Sequence, residues 1–143
     1  MLAEVNVIED KDKESFAIEA FKEYRLETGI DCKKCGGHTH YWLKSKLQFQ
    51  CKRCKFRTTL RSGTFLEGSK LPLYYFFIAV HLIGRHGNLL TVEEFQSNTL
   101  HKYYDPLWDF LNRIKKFILE QESQKTILRK YADLVNGYLQ RNH

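Results

Sequence analysis

Proline occurs only twice in 143 residues, and both copies, Pro72 and Pro106, stand where a helix is predicted to open. So sparse a use excludes a proline-rich spacer or a collagen-like chain. Internal repeats and low-complexity stretches are lacking as well. Long apolar runs are short: Leu71–Ile83 (LPLYYFFIAVHLI) is the longest at thirteen residues and contains His81, which excludes a bilayer span and predicts a buried helix. The opening Met1-Leu2-Ala3-Glu4 has neither the basic head nor the apolar stretch of a signal peptide, so a cytoplasmic location without membrane contact is expected. There is no glycine-rich phosphate loop and no Ser/His/Asp or Cys/His pairing that would point to nucleophilic catalysis. What the chain does have is 43% hydrophobic residues and 14% aromatics, enough for a packed core rather than disorder.

Cysteine is scarce, yet all four copies fall into one pattern. Cys32-Lys33-Lys34-Cys35-Gly36 and Cys51-Lys52-Arg53-Cys54 are two Cys-x-x-Cys pairs separated by fifteen residues. That is the ligand spacing of a structural four-thiolate zinc site, each pair forming a turn that aims two sulfurs at one point. Disulfides would consume the same thiols only in an oxidising compartment. One structural Zn2+ held by Cys32, Cys35, Cys51 and Cys54 is therefore expected. Gly36-Gly37 supplies the φ > 0 conformations of a thiolate-cradling turn. His38 and His40 lie near the first pair and are spare as ligands. Short strands are predicted at His40–Lys44, Leu47–Gln50 and Phe56–Leu60, with Tyr41, Leu43, Leu47, Phe49 and Phe56 as the apolar positions at period two. So small a sheet depends on its metal to fold.

Charge is unevenly distributed along the chain. Residues 1–30 carry four basic and eight acidic side chains, residues 31–70 ten and two, and residues 71–143 nine and seven. The positive field thus coincides with the cysteine module and suits a polyanion. Lys33, Lys34, Lys44, Lys46, Lys52, Arg53, Lys55, Arg57 and Arg61 supply it. Three or four of them would offset the formal −2 of a zinc tetrathiolate, and the rest exceed that need. Trp42 falls out of phase with Tyr41 and Leu43 and is expected at the surface. Basic residues interleaved with an aromatic mark a nucleic-acid surface, so these nine cations and Trp42 form the predicted DNA face. The alternative is a solvated basic face with Trp42 covered by a helix.

The remainder reads as helical. Residues 12–25 place Phe16, Ala17, Ala20, Phe21 and Tyr24 on one face, ending at Thr28-Gly29. A helix over Pro72–Ile83 stops at Gly84. Thr91-Val92-Glu93-Glu94 is a capping box opening a helix to about Ser97, and Asp105-Pro106 caps the next, striped by Leu107, Phe110, Leu111, Ile114, Phe117 and Ile118. After a break near 120–124, a last helix carries Ile127, Leu128, Tyr131, Leu134, Val135, Tyr138 and Leu139. The expected fold class is α+β: a small three-stranded zinc ribbon packed with a helical, helix-turn-helix-like bundle. Its units are an N-terminal helix at 1–30, the ribbon at 31–66 and a helical domain at 67–143, with the helix-turn-helix outline at 91–119.

Several segments in this order carry a resemblance: Tyr24-Arg25, Gly29, the first cysteine turn, Phe49-Gln50-Cys51-Lys52-Arg53-Cys54, Ser62-Gly63-Thr64-Phe65, Lys70-Leu71-Pro72-Leu73, and a later helix with Trp108, Leu111 and Ile114. Residues 10–119 resemble the N-terminal zinc-ribbon plus helix-turn-helix region of bacterial insertion-sequence (DDE-type) transposases. The resemblance implies recognition of the ends of a mobile element. In that family a ribonuclease-H-like domain with three metal-binding carboxylates cuts and joins DNA; Glu120, Glu122 and Asp133 cannot supply such a triad here. A DNA-binding protein without nuclease activity is the expectation, its partner duplex DNA contacted mainly through the backbone. Asp105 and Asp109 at the start of the would-be recognition helix repel phosphate, which favours the ribbon as the contact. The alternatives are a protein–protein adaptor stabilised by the ribbon, or a subunit or relic of an active transposase, with an oligomer or transposase partner docking on the last helix.

Overall fold

A computed structural model describes residues 10–141; the first nine residues of the predicted N-terminal unit and residues 142–143 lie outside it. The order is α1 (Asp10–Thr28), β1 (His40–Leu43), β2 (Gln48–Cys51), β3 (Arg57–Thr59), α2 (Leu73–His86), a 3-10 turn at Gly87–Leu89, α3 (Val92–Thr99), α4 (Tyr104–Glu120) and α5 (Glu122–Arg141). The strands form one antiparallel sheet in the order β1-β2-β3. The fold is α+β, a three-stranded ribbon-like unit packed with helices.

Helices α1, α2 and α5 pack on one another, and α2 is the centre, buried along Leu73–Phe77 and at Ala79, Val80, Leu82 and Ile83. Phe21 meets Phe76 edge to face at 5.7 Å, and Phe16 stacks on Tyr138 at 4.2 Å. Phe49 of β2, with Leu60 and Leu66 just after the sheet, joins this same core. Phe65 stacks on Phe117 of α4 at 3.9 Å, so the turn leaving the ribbon is pinned between the helices.

Several helix ends differ from expectation. Helix α2 runs through Gly84, against which the Arg129 guanidinium lies, and ends instead at Gly87 with φ +62°. A glycine inside a helix costs only about 1 kcal/mol, whereas the left-handed stop strongly favours glycine. Pro72 offers α2 no side-chain cap; the Glu14 carboxylate reaches across from α1 and accepts from the Leu73 and Tyr74 backbone N–H groups at 2.9 and 3.1 Å. Helix α4 begins at Tyr104, one residue before Asp105, so Asp105 and Pro106 sit in its first turn, where backbone N–H groups lack helical partners in any case. The capping box at Thr91 forms as expected: Thr91 Oγ1 accepts from Glu94 N at 3.1 Å, and Glu94 Oε1 accepts from Thr91 N at 3.4 Å.

The apolar stripe of α5 is used internally. Leu128, Tyr131, Ala132, Val135 and Leu139 are buried against α1 and α2, while Leu134, expected in the same stripe, is exposed. Two turns of a helix bury only about 100° of its circumference, and Leu134 lies outside that arc.

A four-cysteine centre and its basic face

The two cysteine turns are built alike. In the first, Gly36 N donates to Cys32 O at 2.9 Å and Cys32 N donates to Gly37 O at 2.9 Å. In the second, Lys55 N donates to Cys51 O at 3.0 Å and Cys51 N to Phe56 O at 2.9 Å. Gly36 and Lys55 occupy the same place in each turn and both have positive φ, +77° and +69°. Gly37 has a different purpose from the conformational one expected of it: a Cβ there would stand 3.3 Å from both Cys35 Sγ and Cys51 Sγ. Backbone N–H groups of Lys34 and Gly37 donate to Cys32 Sγ and Cys35 Sγ, each at 3.4 Å.

All four sulfurs lie within 4.8 Å of one another, with Cys32–Cys54 at 3.4 Å and Cys35–Cys51 at 3.6 Å. Those separations are far beyond a disulfide, near 2.05 Å, and close to the roughly 3.8 Å edge of a tetrahedron with Zn–S bonds of about 2.3 Å. The thiols influence one another strongly. Backbone N–H donation, chiefly at Cys54, holds the Cys51 thiol down to about 6. Against the Phe56 N–H, burial and the neighbouring sulfurs push Cys54 up to about 11. A dication removes that conflict by allowing all four to ionise. The donor set, its spacing and the glycine that makes room for two sulfurs fit one zinc ion. Neither nearby histidine joins them: His38 Nδ1 sits 2.6 Å from Asp31, and the His40 ring lies edge-on to Phe49.

Residues 12–57 match the family model of the transposase zinc-ribbon domain. The matched span runs from α1 into β3 and includes both cysteine turns. No curated protein and no solved structure matches the chain.

Phe49 of β2 is buried as expected, but the faces of β1 are the reverse of the predicted phase. Trp42, Phe49 and Thr58 are paired across the sheet and turn inward. Trp42 packs on Phe49 at 4.9 Å with Lys22 over its ring at 5.8 Å, so it is half-buried against the core rather than exposed at the surface. Tyr41, Gln50 and Arg57 form the opposite row, and Tyr41 is 50% exposed. Lys52 and Lys55 from the second cysteine turn stand over the Tyr41 ring at 4.9 and 5.8 Å. Leu47 and Phe56 are also exposed. Tyr41, and not Trp42 as expected, is thus the exposed aromatic of the sheet. Cys51 and Phe49 share one face of β2, and the pairing of His40 with Cys51 and of Trp42 with Phe49 brings Trp42 to that face.

The predicted cations divide similarly. Lys33, Lys34, Lys44, Lys46, Lys52, Arg53, Lys55 and Arg57 are exposed or half-exposed. Lys44 and Lys46 crown the β1–β2 turn, and of the eight only Lys33 has an acidic partner among the described residues, Glu67 at 3.5 Å. Arg61 is turned inward: it donates to Ser69 O at 3.1 Å and lies 3.8 Å from Glu14, which leaves its side chain only 20% exposed. In α4, Arg113 pairs with Asp109 at 3.1 Å and donates to Glu67 O, while Lys115 donates to Leu90 O. The cations of that helix are largely engaged in holding the bundle.

Proposed function

We propose that the protein is a zinc-dependent DNA-binding module of transposase type, which contacts duplex DNA through the outer face of its ribbon. The carrying observation is the row Tyr41–Gln50–Arg57 with Lys52 and Lys55 over the tyrosine, bordered by Lys34, Lys44, Lys46 and Arg53. Seven cations on one small module, without acidic partners among the described residues, supply the phosphate contacts, and an exposed aromatic among them supplies a base or sugar contact. Zinc fixes the second cysteine turn and so sets the spacing of Lys52, Arg53 and Lys55. Four thiolates complete its coordination and leave no open position for hydrolytic chemistry, so the module binds without cutting. Reduced thiols require a reducing compartment, which agrees with a cytoplasmic protein. In this reading α3 and α4 serve as scaffold, since Asp105 and Asp109 face away from the core where a groove-reading helix would approach phosphate.

The test is a salt titration of duplex binding. About six phosphate contacts give a slope of log K against log salt near −5. Lys52, Arg53 and Arg57 changed together to Glu should abolish binding with zinc still bound at one equivalent. A flat salt response, or affinity that survives the triple change, would exclude this face.

A further inference from the structure

Arg25 is 7% exposed near the end of α1 and has no acidic partner among the described residues. Its Nη1 donates to Thr59 O and Leu60 O at 3.3 and 3.0 Å, tying α1 to the end of β3, and the Phe49 ring lies 5.6 Å from its Cζ. Burial pulls its pKa below the ordinary arginine value, and the Tyr24 phenol is the ionisable group that acts against that fall. Its other terminal nitrogen, Nη2, is turned toward Gly63, 3.9 Å from where a Cβ would stand. There it borders a cleft of about 200 Å³ lined also by Tyr24, Thr28, Thr64 and Gln124.

Two carbonyls solvate part of a guanidinium but do not balance its charge, and a buried cation without a counter-ion is a costly arrangement. The lining adds donors: Gln124 Oε1 accepts from the Tyr24 hydroxyl, which leaves the Gln124 amide NH2 as a donor. Among the described residues no carboxylate lines the cleft. The acids next to the lining in sequence are engaged elsewhere: Glu23 pairs with Lys22, Glu27 accepts from Lys130 and Tyr131, and Glu67 accepts from Gly63 N at 2.6 Å and pairs with Lys33. The space holds one tetrahedral oxyanion with a few waters, each taking about 30 Å³. Arginine is the side chain best shaped to receive two oxyanion oxygens.

We propose that this cleft, at the seam between the ribbon's exit turn and the α4–α5 junction, binds a phosphate group through Arg25. The proposal rests on the DNA-binding reading only for the source of that phosphate, a backbone phosphodiester or a free ion. The test uses the zinc-loaded full chain, melted in inorganic phosphate and in chloride at equal ionic strength. Phosphate at tenfold excess over its Kd should raise Tm by about 4 °C. Gln124→Glu keeps an acceptor for Tyr24, sits in the first turn of α5 where negative charge is favourable, and supplies the missing counter-charge. It should melt higher than the wild type and lose the phosphate response. Arg25→Gln also removes the ties to Thr59 and Leu60, so Gln124→Glu is the deciding variant.

A wild-type protein that melts no higher in phosphate than in chloride overturns the proposal, as does a Gln124→Glu variant that responds in full. If Gln124→Glu also weakens duplex binding severalfold, the ligand is a backbone phosphate; if duplex affinity is unchanged while the phosphate response is lost, it is a free ion. The Lys52/Arg53/Arg57 triple change should keep the phosphate response, so failure of the ribbon-face reading and failure of this cleft are separable.

Discussion

The ribbon and the helical half are held by different forces, although they meet in one core. Helices α1, α2 and α5 bury long apolar faces against each other, whereas the sheet of the ribbon contributes only Phe49 as a fully buried large side chain. Its inner face also holds buried polar atoms with no hydrogen-bond partner among the described residues, namely both His40 ring nitrogens, Trp42 Nε1 and Thr58 Oγ1. A unit with so little apolar burial and several unpaired polar groups does not stand on packing alone. Four cysteine sulfurs within 4.8 Å supply the missing constraint. The difference extends to the cations: the ribbon leaves nearly all of its own outside, while the helical half engages Arg113, Lys115 and Lys130 in internal contacts.

The largest test of that contrast is removal of the metal. Structural zinc contributes about 10–16 kcal/mol of binding free energy in comparable peptides. Chelation, or Cys51→Ser, should unfold residues 31–60 and leave most helical circular dichroism in place. In a Trp108→Phe background Trp42 is the sole tryptophan, and its emission should shift to the red on chelation. Loss of helix in parallel with the ribbon would show that the two parts fold as one unit.

A smaller effect separates the two faces of the sheet. Trp42→Ala removes a ring packed on Phe49 and should destabilise the ribbon by about 3 kcal/mol, the lower end of large aromatic truncations, read as weaker zinc retention and lower Tm. Tyr41→Ala should leave both unchanged and reduce DNA affinity by about 1–3 kcal/mol, the range of an aromatic–base contact. The opposite assignment would restore the phase expected from the sequence.

The smallest effect is in the helical half. Glu27 at the end of α1 accepts from Lys130 Nζ at 2.8 Å and from the Tyr131 hydroxyl at 2.7 Å, and these bonds hold its carboxyl below the usual range. A depressed acid stabilises the fold above its unfolded pKa, near 4.3, and that contribution is lost as pH falls through the lower folded value. The Tm difference between wild type and Glu27→Gln should therefore be present at pH 7 and vanish in acid. A difference independent of pH would mean that shape, not charge, joins α1 to α5.

Much of this was legible in order along the chain. The paired cysteines announced the centre, the capping box at Thr91 formed as written, and the helical stripes gave the α+β class. What escaped is of one kind. The face of each strand depends on register: pairing Leu43 with Leu47 instead of with Gln48 would set Tyr41 rather than Trp42 opposite Phe49, and local periodicity does not choose between the two. Arg61 counted as a surface cation until Ser69 and Glu14 were placed beside it.

By itself the sequence determined which side chains can hold a metal, where the positive charge gathers and which segments turn helical, because these depend on composition and near-neighbour spacing. Only the tertiary structure decided that Glu14 of α1 caps α2, that Leu134 stays outside the core and that Arg25 is buried with no acid among the described residues beside it. Those outcomes depend on contacts between residues far apart in the chain, and local periodicity carries no information about them.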